Sequence, residues 1–176
     1  MLFKKIAMEY VNFAEDNLED MRKILDDSCL AHDSPAQDYY EAMKNNREEA
    51  QGKTKKKRRE TTQTFRDMIT SLILCHNVTP VVGNNNEREL QASSPDEVAL
   101  VKFAESCGYF LDHRTQQEIR IQNKKGVYEE YDILNCFPFT SESKRMGIIL
   151  RCRKNGLILF YLKGAEVILK EKIRPT

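Results

Sequence analysis

The chain has 176 residues, 28 basic against 27 acidic side chains, a formal net charge of +1, and 40% hydrophobic residues. That is enough chain for one domain with its own core, and the near-cancelling charge removes any global case for a nucleic-acid or acidic partner. Five cysteines in apolar contexts (Cys29, Cys75, Cys107, Cys136, Cys152) suit a reduced core, nothing at Met1 resembles a signal peptide, and the longest apolar run, Leu157 to Leu162, is too short to span a bilayer.

Residues 1–11, "MLFKKIAMEYV", suit an edge strand or a lead-in segment. From about Glu15 to Leu30, Leu18, Met21, Leu25 and Cys29 fall near helical spacing and predict an amphipathic helix. A second helix is expected from Ser34-Pro35, carrying a thin apolar stripe of Tyr39, Tyr40 and Met43 into "KTKKKRRE". That basic block (Lys53, Lys55, Lys56, Lys57, Arg58, Arg59) has no interleaved aromatic residue for base stacking, so it reads as a solvated linker, with an anionic-lipid contact and a nuclear-localisation-like or nucleic-acid patch as the alternatives.

Phe65, Met68, Ile69, Leu72 and Ile73 follow the i, i+3, i+4, i+7, i+8 pattern of a helix packed on one face. "VTPVV" then predicts a short strand and "GNNNERE" an exposed loop. At "SSPDEVALVKFAESCGY" the start signals accumulate: Ser94 as cap, Pro95 in the first turn, and Glu97 three residues after Ser94, the spacing of a capping box. Gly108 stands where a left-handed residue would end that helix.

After Gly108 the pattern turns to strands, expected at 109–114, 118–122, 127–135, 147–153 and 157–162, with "NKKG" and "KNG" as turns and Asn155-Gly156 favouring a tight hairpin. The expected fold class is therefore α+β: an antiparallel sheet of about six strands with helices packed on it. "AEVILKEKI" returns to a helix that stops at Arg174-Pro175-Thr176, where the domain reads as cut.

Three features of the second half ask for more than a structural role. "FPFTSESKRM" places an aromatic residue, three hydroxyls and two bases between strands; "YLKGAE" ends a strand in a lysine and a glycine that admits close backbone approach; and Asp96-Glu97 is an acid pair where a helix start needs one acid. An aromatic face, one or two lysines and a carboxylate around a sheet suit a purine nucleotide. Neither GxxxxGK[ST] nor GxGxxG occurs, so any nucleotide is held another way. No metal site is expected: Cys29 with His32, and Cys75 with His76, lack a paired CxxC, and adjacent residues point in different directions. No GxSxG nucleophile elbow appears, and His113 reads as a strand residue.

"LCHNVTPV", "QASSPDEVALVKFAESCGY", "FPFTSESKRMGIILR" and "FYLKGAEVI", in that order, resemble the nucleotide-binding domain of P-type ATPases, most closely the phospholipid-flippase branch. "SPDE" and "KRM" mark flippases off from cation pumps, which share mainly "KGA". The resemblance implies that Phe139 stacks on adenine, that Lys163 with Gly164 and Ala165 lines the pocket, that Glu97 faces the adenine with Asp96 beside it, and that Lys144 follows the stacking aromatic. Ser141 belongs to the same expected set, with Thr140 and Arg145 as weaker members.

It also implies a division into residues 1–12 as a lead-in from a phosphorylation domain, 13–60 as a variable helical region with the basic linker, and 61–176 as the nucleotide-binding core. The "DKTGT" loop, the actuator loop, every transmembrane helix and the arginine beyond "KGA" are missing, so no catalytic residue is expected here. The chain is expected to be inactive alone and monomeric. In a parent enzyme it would face the cytosol and present ATP, with Mg2+, to an aspartate of the phosphorylation domain, beside actuator and membrane domains. The other reading keeps the fold without nucleotide and uses residues 53–59 for membrane or protein contacts.

Overall fold

Alternating side chains build the main sheet. The computed structural model describes residues 5–8, 11–14, 17–26, 61–83 and 86–173; the expected helix from Ser34, the basic block and the Cys29/His32 pair lie outside them. Five strands, β5 (Tyr109–Arg114), β6 (Glu118–Asn123), β7 (Tyr128–Phe137), β8 (Arg145–Cys152) and β9 (Ile158–Gly164), pair antiparallel in sequence order. Leu111, Ile119, Ile121, Tyr131, Met146, Ile148 and Leu150 all point to one face and are fully buried. At about 1.5–3 kcal/mol for each large apolar side chain removed from water, this row supplies much of the drive for folding.

The turns are set by their residues. Asn123 Oδ1 accepts the N–H groups of Lys125 and Val127, and Gly126 adopts φ +78°. Between Cys152 and Leu157, Gly156 at φ +73° closes a four-residue turn and donates to the Cys152 carbonyl. That connection is longer than the two-residue hairpin Asn155-Gly156 suggested, because Asn155 Oδ1 is engaged by the Leu157 N–H.

The helices cover the apolar face. α2 (Thr61–Leu74) buries Phe65, Ile69 and Ile73, the i, i+4, i+8 row of the predicted stripe, and α3 (Pro95–Ser106) buries Val101, Phe103 and Ala104. Gly108, at φ +102°, turns α3 into β5 as expected. α1 (Leu18–Asp26), the described part of the helix expected over 15–30, adds Met21 and Leu25 to the same core, and its Arg22 Nε donates to the Ser106 carbonyl. The closing helix, α4 (Glu166–Lys170), is a short appendage after β9. The lead-in is a hairpin, β1 (Lys5–Met8) against β2 (Val11–Ala14).

The sixth strand is not part of the main sheet. β3 (Thr79–Val82) pairs with β4 (Arg88–Gln91), where the sequence suggested loop, to make a separate two-stranded ribbon. Pro80 has no N–H to offer a further neighbour, and charged Arg88 and Glu89 line the other strand.

Two bulges interrupt the alternation of the main sheet. In β5 the register slips between Leu111 and His113, and in β7 between Ile133 and Asn135. Each slip moves the residues beyond it to the opposite face. Arg114 thus pairs with buried Ile119, and Cys136 with buried Ile148, so both side chains fall on the helix-covered face.

Candidate functional site

At one end of the sheet, the start of α3, the β7–β8 loop and the end of β9 enclose an open cleft of about 1080 Å³. Asp96, Glu97, Phe139, Ser141, Lys144, Lys163 and Gly164, the seven residues singled out from sequence, all line it, together with Ala165. Thr140 and Arg145 do not. Thr140 Oγ1 holds the rim turn by accepting the Ser143 N–H at 3.0 Å and donating to Ser143 Oγ at 2.8 Å, and Arg145 opens β8 opposite Gly164. Sequence reasoning missed Asn77, Ser93, Leu100 and Pro138 as lining residues and read Ser94 only as a cap; Asn77 sits in "LCHNVTPV", where no local signal gives it an individual role.

The centre of the cleft is a hydrogen-bonded ion pair: Lys163 Nζ donates to Glu97 Oε1 at 2.6 Å, with side chains only 29% and 12% exposed. Glu97 Oε2 accepts the backbone N–H of Asn77 at 3.2 Å. The capping box expected at Ser94 is therefore absent: Ser94 has the extended backbone of a cap but no side-chain cap bond, and Glu97 turns away from it. Both oxygens are taken up away from the cap, one by the full positive charge of Lys163, which adds ion-pair attraction that a neutral backbone N–H lacks, and one by the Asn77 N–H.

Phe139, in the same lining, stands 59% exposed, a large flat apolar surface left open to solvent. The rim below it is under backbone tension: Lys144, not a glycine, adopts φ +48°, with its N–H bonded to the Thr140 carbonyl at 2.8 Å. Gly164 explains the close fit. A Cβ there would stand 2.7 Å from the Lys144 carbonyl oxygen and 2.9 Å from Arg145 Cβ, so the glycine admits the rim loop itself, which Ala165 N–H then binds through the same carbonyl.

Beneath the cleft, His76 locks the corner between α2 and β3. Its Nε2 donates to the Ile73 carbonyl at 2.8 Å and its Nδ1 accepts the Val78 N–H at 3.0 Å. Burial, helped by the nearby Arg114 charge, lowers its pKa to about 3, so it is neutral with both nitrogens engaged. Cys75 points elsewhere, toward the Met146 and Tyr161 carbonyls, and burial pushes its thiol up to about 11. Among the described residues no three His, Cys, Asp or Glu side chains gather where a metal ion could be held.

A family profile described as "P-type ATPase, cytoplasmic domain N" matches residues 64–172. The chain belongs to the P-type ATPases, as their cytoplasmic domain N. It is 35% identical to "Probable phospholipid-transporting ATPase IIB" of Danio rerio over 188 aligned residues, covering 96% of this chain and 17% of that protein. It is also 45% identical to "Phospholipid-transporting ATPase neo1" of Schizosaccharomyces pombe over 63% of this chain, and 41% identical to "Phospholipid-transporting ATPase NEO1" of Saccharomyces cerevisiae over 68% of it, in both cases spanning 10% of the relative. This N domain therefore corresponds to a small part of each. No helix among its described residues is long and apolar enough to cross a membrane.

Proposed function

We propose that this N domain binds the adenine nucleotide in the cleft between α3, the β7–β8 loop and β9, within a phospholipid-translocating P-type ATPase. The observation that carries the reading is the convergence of an exposed aromatic plane, Phe139, with the Glu97–Lys163 pair in one cleft built from distant stretches of chain. Phe139 offers a face for the base, Glu97 an acceptor for an exocyclic amine, and Lys163 and Lys144 charge for phosphates. In the parent enzyme the bound ATP would be presented to an aspartate on another domain, where positioning supplies most of the catalysis of phosphoryl transfer. Magnesium would arrive on the phosphates, since Asp96 and Glu97 are the only carboxylates among the lining residues and the charge of Glu97 is already balanced by Lys163.

Two acids and two lysines line the cleft, so its formal charges cancel and long-range attraction for a polyanion is small. Affinity then rests on stacking and short-range bonds, giving a Kd on the order of 1 mM. Titration of the full chain with ATP, followed by backbone amide shifts, should perturb the surroundings of Phe139 and Lys163. Phe139→Ala should weaken ATP and adenosine together by about 5-fold or more, the low end of what base stacking supplies. Lys163→Ala should act more on ATP than on adenosine. Silence at both residues at several millimolar ATP would leave the fold in place and remove the nucleotide, favouring an interaction domain that uses residues 53–59.

A further inference from the structure

Arg114 stands outside every expected site residue, yet a β-bulge brings it under the cleft. Without the slip at Asp112, strict alternation from Tyr109 and Leu111 would send the side chain of residue 114 to the outer face. With it, Arg114 lies opposite Ile119 on the covered face, beside the Cys136 and Cys75 thiols. Its Nη2 donates to Asn77 Oδ1 at 3.0 Å and the Cys136 thiol lies in hydrogen-bonding reach of the guanidinium, a weak acceptor, while Nη1 is buried with no oxygen or nitrogen acceptor among the described residues. Holding a half-buried guanidinium with one nitrogen poorly matched costs stability, and what it gains in return is the bond to Asn77.

That bond leads into the cleft. Asn77 is held from both sides: Arg114 grips its side chain, and the buried ring of His76 bridges Ile73 to Val78 around it. Its backbone N–H is thereby fixed toward Glu97 Oε2, and Glu97 presents its other oxygen to Lys163. We propose that Arg114 is a positioning residue of the cleft, acting through Asn77 to hold the Glu97 carboxylate away from the α3 cap and against Lys163. Arg114 does not itself line the cleft and meets it only through the lining residue Asn77. The role rests on the nucleotide reading of the cleft and adds the residue that sets the orientation of its acidic wall.

A plain alternative is that Arg114 only supplies a positive charge near the C-terminal end of α2. The two differ in what Glu97 does. The full chain carrying Arg114→Met, Asn77→Ala, Glu97→Ala, or Arg114→Met with Glu97→Ala is titrated with ATP by amide shifts, and exchange of the Asn77 amide is followed without nucleotide. Arg114→Met and Asn77→Ala should each weaken ATP roughly 5-fold, the scale of one hydrogen bond, and Arg114→Met should also speed exchange of the Asn77 amide. In the Glu97→Ala background, Arg114→Met should have no further effect on affinity, since nothing remains to be held.

An unchanged Kd in both Arg114→Met and Asn77→Ala, with wild type binding, overturns the positioning role and leaves the nucleotide reading intact. So does an Arg114→Met effect that persists at full size in Glu97→Ala. Rescue of affinity by Arg114→Lys together with full affinity in Asn77→Ala would assign the residue to the helix end alone. Failure of the wild-type chain to bind ATP removes the nucleotide reading and the positioning role with it.

Discussion

Glu97 shows how far a local rule reaches. Its place three residues after Ser94 predicts a reciprocal cap, and in isolation that geometry would form. The fold supplies a better partner from the far side of the sheet, Lys163, and the cap is left without its side-chain bond. Gly164 makes the complementary point. It is legible in sequence as a place of close approach, but the group that approaches is the Lys144 carbonyl, a partner no pattern identifies. Its φ is not in the left-handed region, so space alone requires glycine there. Gly164→Ala should therefore push the rim loop off β9, costing roughly 1–3 kcal/mol by overpacking, seen as a lower denaturant midpoint with an unchanged m-value. A midpoint equal to wild type would show that the loop yields freely.

Among elements, the five strands of the main sheet are readable because period-two burial and the Asn and Gly turns act locally. β4 is not, since charged side chains on a two-stranded ribbon carry no apolar alternation. Nor are the bulges at Asp112 and Leu134, which shift the side-chain faces of β5 and β7 with no mark in composition. The seven lining residues are reached from a family pattern, whereas Arg114 is reached only once the register is known. The junction of α2 with β3 makes a further prediction. His76 is held neutral in the fold, with a pKa of about 3 against 6.5 as the ordinary value, so on acidification the unfolded chain takes up the proton first. The stability it contributes is complete above about pH 6.5 and falls as the pH drops toward 3, by about 2 kcal/mol at pH 5. Chemical denaturation at pH 7 and pH 5 should show this loss, and His76→Gln, which keeps a donor and an acceptor, should flatten it. An equal slope in the variant would place the proton uptake on other groups.

For the molecule as a whole, the cleft is a property of the finished fold, not of any segment. Asn77 follows α2, the acid pair opens α3, Phe139 and Lys144 lie between β7 and β8, and Lys163 closes β9, so no partly folded form holds all of them at once. A ligand seated there should act as a brace on every element. Linkage makes the size independent of where the contacts fall: at ten times Kd the whole transition should rise by about 1.4 kcal/mol. Weak affinity, hard to fit by isotherm, should then register as a later melt of helices and sheet together, and a rise confined to one of them would mean that the nucleotide sits somewhere else.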